Sequence, residues 1–284
     1  MQIIRFFLLI ASGIIILSCS STKKIDNEIQ EQFYSLSRKA NVNLHSVESF
    51  LKNLSQLPIR QREDSLIKYM SKGWMPAYNF QFKEVSYTYK NAKGKKYKIS
   101  FWVSPDYLSI GTNQNFVRMP LTPQTAQKLA DQFHSVLPTT KMVNKIYEKA
   151  TIKLSPIPLT ENRDSLSTFV KHHFLIQQQL KYNIPNGIVA GIKKDVVQSN
   201  AVLSNPKPNR VAIYGWHKLD GKPIQPLYTG HVDWYVDYSH GIRLVYEKML
   251  INNQVFFVKD VLNNSELSRS ICDEGNCRFM RYNN

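Results

Sequence analysis

The sequence predicts an α+β fold in which N-terminal and middle helices pack against a mainly antiparallel C-terminal sheet. Two observations carry this. Apolar residues recur at helical spacing through much of the first 180 positions. From Gly187 onward, strand-like runs separated by turn signals take over. Segregating helices from strands in this way favours α+β over a doubly wound parallel sheet.

Residues 19–30 are polar at their start and read as a short tether entering a helix. "EQFYSLSRKA", "SVESFLKNLSQL" and "REDSLIKYMSKGW" continue as helices at one edge. "FKEVSYTYK" and "KKYKISFWVS" flank "NAKG" and predict a hairpin, with Gly94 in the turn. Thr122 then caps a helix with Pro123 in its first turn, Pro138 ends it, and a second helix begins near Thr139 or Thr140. "SLSTFVKHHFLIQQQLKY" is a third middle helix. The strand runs follow as "GIVAGIKKDVV", "RVAIYGWHKLDGKPIQPL" and "GIRLVYEKMLINNQVFFVKDVL". No Pro/Ser/Gly-rich linker divides residues 31–284, which read as a single domain with a helical N-terminal part and a β-rich C-terminal part. Neither GxGxxG nor GxxxxGK[ST] occurs, which disfavours a nucleotide cofactor.

The chain opens with one basic residue, Arg5, an apolar run from Phe6 to Leu17, and small Ser18 before Cys19. The run falls short of the about 20 residues that span a bilayer, so residues 1–18 read as an export signal. "ILSC", Ile16 to Cys19, resembles the lipobox of bacterial lipoproteins. That resemblance implies acylation of Cys19, attachment to a membrane, and a place in the bacterial cell envelope. In an organism with an outer membrane, this means its periplasmic face or the cell surface.

The formal charge is +16. A positive surface attracts any polyanion; export makes an anionic cell-wall or glycan ligand the better expectation, and no nucleic acid is expected. In an oxidising compartment Cys272 and Cys277 are expected to form a disulfide. Their spacing is not the CxxC of common metal sites.

Residues 214–247 hold the densest chemistry: His217, His231, His240, Asp233, Asp237 and Arg243 among many aromatics. Three histidines, or two with Asp233, form a candidate zinc site with a position left open for water. His231 and Asp233 are two apart, so on a strand they share a face. The remaining carboxylate would act as base, and Arg243 would meet substrate anions or developing negative charge. A metal-free version makes Ser239 a nucleophile or His240 a general acid/base, oriented by Asp237 or Asp233. Trp216, Gln225, Trp234 and Tyr238 are the candidate substrate-binding residues, because aromatics combine apolar area with polar handles. Outside this run, His173 is a reserve ligand beside His172, and Asn113 and Arg118 suit a polar mouth. Lys193, Lys194 and Asp195 read as surface unless the fold brings them beside His240.

"SHGIRL", Ser239 to Leu244, resembles the "SHGCIRL" core of the L,D-transpeptidases, which cross-link peptidoglycan through a cysteine acyl-enzyme. His240, Gly241, Ile242, Arg243 and Leu244 find counterparts, but the nucleophilic cysteine is skipped. That departure removes the family's defining chemistry; the polar groups within the aromatic-rich run make the expected activity a cell-envelope hydrolase acting on a polar wall-peptide or glycan-linked substrate, in a zinc-dependent or metal-free form. The alternative is a non-catalytic, lipid-anchored glycan-, peptide- or protein-binding or assembly factor.

Overall fold

A computed structural model describes residues 21–34, 36 and 46–282. Residues 1–18, read from the sequence as an export signal, and Cys19 lie outside the described residues. The architecture is α+β, with helices packed against largely antiparallel strands.

Helix α1 covers residues 21–34, so helix begins inside the stretch read as a tether. Its Ile25, Ile29 and Phe33 repeat every four residues and are buried, giving the helix an apolar stripe to dock. Asp26 accepts a 2.7 Å bond from the Trp102 indole, and Glu28 pairs with Lys248 at 2.7 Å. Helices α2 (Val47–Leu54) and α3 (Ile59–Met70) pack beside it through Phe50, Leu54, Leu66 and Met70.

The first sheet is built on the hairpin of β1 (Lys83–Lys90) and β2 (Lys96–Val103). Gly94 has φ +83°, a conformation costly for residues bearing a Cβ. A short antiparallel pair follows, β3 (Ser109–Gly111) with β4 (Phe116–Arg118). Helix α4 (Pro123–Gln132) is capped by Thr122, whose side chain accepts from the Thr125 amide. After β5 (Ser135–Val136), α5 (Thr140–Lys149) is capped by Thr139 in the same way. A parallel pair of β6 (Ile152–Lys153) and β7 (Val189–Ala190) brackets α6 (Leu166–Gln179).

The second sheet has the order β10-β9-β8-β11. Its strands are β8 (Lys194–Val197), β9 (Ala212–His217), β10 (Pro223–Tyr228) and β11 (His240–Gly241). Proline-bearing β10 lies at the edge, where a missing ladder donor is tolerated. Strands β12 (Val245–Ile251) and β13 (Gln254–Phe257) return to the first sheet, with β12 paired to β2. The end of the run expected to continue as strand is instead helix α7 (Val258–Asn263), whose Val258, Val261 and Leu262 are buried against β12. Cys272 and Cys277 form a disulfide beside it.

Arg118, at the end of β4, is not at a polar mouth. It is fully buried, and its Nε and Nη2 donate to Asp106 at 2.6 to 3.2 Å. Its Nη1 donates to Gln177 at 2.8 Å, and its backbone N–H donates to His173 Nδ1 at 3.2 Å. His173, the reserve ligand, is thereby occupied in tying α6 to β4. Asn113 accepts from the Ala77 amide. Breaking one half of a buried pair strands a charge, so Arg118→Met should cost about 3–5 kcal/mol. The Asp106→Leu/Arg118→Met double variant should lose less, as read from urea unfolding.

Candidate functional site

The structure separates the expected site residues into distinct neighbourhoods. His217, at the end of β9, is buried against Tyr147, with ring centroids 4.5 Å apart, and its Nε2 lies 3.0 Å from Asn144 Oδ1. It borders a cavity of about 560 Å³ with Tyr214 and Asp220. Asp233 and exposed Trp234 border another, of about 410 Å³, with Gln124, Arg210 and Tyr282. Although His231 and Asp233 are two apart, this segment is not a strand there, and the shared face does not form.

Arg243 is buried rather than available to substrate. Its Nη1 and Nη2 donate to the Ser104 and Val189 carbonyls at 2.9 and 2.6 Å, and its guanidinium lies 4.2 Å from the Tyr107 ring centroid. Asp195 lies beside it, 3.8 Å from Nε, and accepts from the Tyr107 hydroxyl at 2.8 Å. Trp216 and Tyr238 are core residues. The Tyr238 hydroxyl donates to the Leu159 carbonyl at 2.9 Å and accepts from that residue's amide at 2.6 Å. Gln225 lies on edge strand β10 and donates to the Pro226 carbonyl.

His231 and His240 do come together, with ring centroids 5.7 Å apart. Tyr235 stacks on His231 at 4.7 Å. Lys194 joins them because β8 and β11 run parallel with His240 opposite Lys194 and Gly241 opposite Asp195. The charged "KKD" triplet is therefore interior. The pairing depends on Gly241, where an added Cβ would lie 2.4 Å from the Tyr107 ring and 2.9 Å from Lys193 Cβ.

Asp237 organises the approach to His240. It accepts from the Ser239 amide at 2.8 Å and the Ser239 hydroxyl at 2.5 Å, while Arg163 donates to its other oxygen at 2.7 Å. This Asx turn occupies the hydroxyl, so Ser239 is not arranged as a nucleophile toward His240. Burial works against the Asp237 charge, but His240, Ser239 and Arg163 outweigh it and hold the carboxyl below its ordinary range. His240 is fully buried and neither ring nitrogen has a hydrogen-bond partner. Burial pushes its pKa down to about 3, and that of half-buried His231 downward too.

Lys193 turns away from this group. Its ammonium donates to the Tyr238 carbonyl and lies 3.4 Å from His172 Nδ1. Burial and Arg118 bring its pKa down to about 7. Lys194 instead stands 5.5 Å from the Trp216 ring centroid. Trp216 has φ +57°, an uncommon conformation for a bulky residue and a local concentration of strain beside the cluster.

The three-histidine zinc site is not formed. Among the described residues, the group of three close ligand atoms is Cys272, Glu274 and Cys277, all within 4.8 Å of one another. That set can chelate a metal when its thiols are free; here the sulfurs are bonded to each other. No helix among the described residues is long and apolar enough to cross a membrane.

Burial lowers five histidines from an ordinary value near 6.5: His172 and His173 to about 2, His240 to about 3, His217 to about 4, and His231 in the same direction. The unfolded chain takes up protons at these positions before the folded chain does. Their contribution to stability is full above pH 6.5 and is lost as pH falls through each folded value, by up to about 1.4 kcal/mol per unit per group. Asp195, raised to about 6 by burial, acts in the opposite sense between its ordinary 3.8 and 6. Melting temperature should therefore fall from pH 6.5 to 4. A flat profile by circular dichroism would contradict neutral burial of these rings.

In comparisons with known proteins, no family model, curated protein or solved structure matches the chain, so its functional reading rests on its own residues.

Proposed function

We propose that the protein is a cell-envelope hydrolase acting on a polar wall-peptide or glycan-linked substrate, with His231 and His240 as its proton-handling pair. The observation that carries this reading is fully buried His240, with both nitrogens unpartnered, facing half-buried His231 at 5.7 Å. Leaving buried polar atoms unpaired costs about 1–3 kcal/mol. A water or substrate group between the rings would offset that cost.

In this reading His231 takes a proton from the attacking water, while His240 accepts or donates the second hydrogen bond that orients it. A lowered His231 pKa keeps the base neutral near pH 7. The nearby Asp237 charge favours the imidazolium formed during transfer. A zinc-dependent form would need a third protein ligand beside these two rings, since His217 and Asp233 lie elsewhere, and would be recognised by loss of activity with a chelator and recovery with zinc. The non-catalytic binding alternative is favoured by one feature: Asp237 and Ser239 are committed to each other and to Arg163.

His231→Ala should lower hydrolysis of soluble wall fragments about 100-fold or more, with melting temperature retained. Unchanged turnover in a folded His231→Ala, His240→Gln double variant would sink the assignment. The acid limb of the rate profile should lie below pH 6.5, since protonation removes the base. We further propose attachment through acylated Cys19; Cys19→Ser should abolish palmitate labelling and release the chain from membranes.

A further inference from the structure

We propose that Lys194, with His231 and His240, forms a seat for one carboxylate, so that the substrate is a peptide or sugar acid held by that group. The inference rests on the hydrolase reading for its catalytic meaning, but the seat can be tested by binding alone.

The cluster contains more donors than acceptors. Among the described residues, the Lys194 ammonium has no carboxylate or carbonyl at hydrogen-bond or ion-pair distance; it stands 5.5 Å from the Trp216 ring centroid, in the field of the Asp237 carboxylate. The residue is 7% exposed. Its stem is buried while its ammonium, which is not among the buried unpartnered atoms, keeps contact with solvent. His240, opposite it across the β8–β11 pairing, is fully buried with two unpartnered nitrogens. His231 also lacks a side-chain hydrogen bond among the described residues, and it meets solvent together with Tyr235. Three polar side chains therefore stand near one carboxylate, Asp237, whose oxygens are already taken by Ser239 and Arg163.

Charge balance selects the ligand. The available acid, Asp237, is already paired with Arg163 at 2.7 Å. Asp195 belongs to Arg243 and Tyr107, and Lys193 to the Tyr238 carbonyl. Both clustered histidines are held toward the neutral form by burial. Lys194, whose pKa burial lowers against the pull of Asp237, supplies the one positive charge here without an ion-pair partner, which matches a singly charged carboxylate better than a doubly charged phosphate monoester. The ammonium supplies a charge-assisted bond, while a neutral imidazole can donate one N–H to the second oxygen. This places the anion beside the rings that would handle the proton.

Titration of the full chain, purified in detergent, at pH 7 with acetyl-dialanine, its C-terminal amide and methyl phosphate tests the seat. The acid should bind at least tenfold more tightly than either of the others. Lys194→Met should remove that preference while leaving the melting transition cooperative. If that variant does not fold, His231→Ala, altered at a half-buried position, should weaken acid binding by at least threefold. Equal binding of acid and amide, tighter binding of methyl phosphate, or acid binding unaffected by the folded variants would overturn the proposal. Carboxylate binding without hydrolysis of wall fragments would leave the seat standing and defeat the hydrolase reading. Hydrolysis without acid preference would do the reverse.

Discussion

The parallel pairing of two residues of β11 with β8 is the constraint on which the site depends. It carries His240 to Lys194 and lets Gly241 pass against the Tyr107 ring, where a methyl group would collide. The same approach sets Arg243 beneath Tyr107 and Asp195. One short contact thus separates Arg243, satisfied by two carbonyls and a tyrosine face, from His240, whose ring nitrogens have no partner.

Burial decides how those charges behave. Arg118 is satisfied by Asp106 and Gln177, and Arg243 by two carbonyls and a tyrosine face. Such groups position backbone without offering reactivity. His240 experiences comparable exclusion of water without comparable partners. The contrast turns a generally basic chain into a candidate site with a defined location.

Much of the fold was legible because its signals are local. Thr122 with Pro123, Thr139, and the turn at Gly94 each act within a few residues, and they appear where capping and turn chemistry require. The α+β segregation follows from apolar periodicity. The β8–β11 register is different: it joins positions about 45 residues apart, and no local pattern specifies it. Lys193, Lys194 and Asp195 consequently looked like surface residues. A charged triplet embedded in the apolar run "GIVAGIKKDVV" was the available signal. His217, His231 and His240 were grouped by sequence proximity, but the β9–β10 hairpin intervenes after His217 and directs it to another cavity.

Cys272 and Cys277 are either joined to each other or available, with Glu274, to an ion. These fates exclude one another. The zinc content of a purified sample would then record the redox history of its C-terminal segment as readily as anything at His231. Stoichiometry measured on oxidised and reduced protein side by side would separate a handling artefact from an ion that belongs to the chemistry.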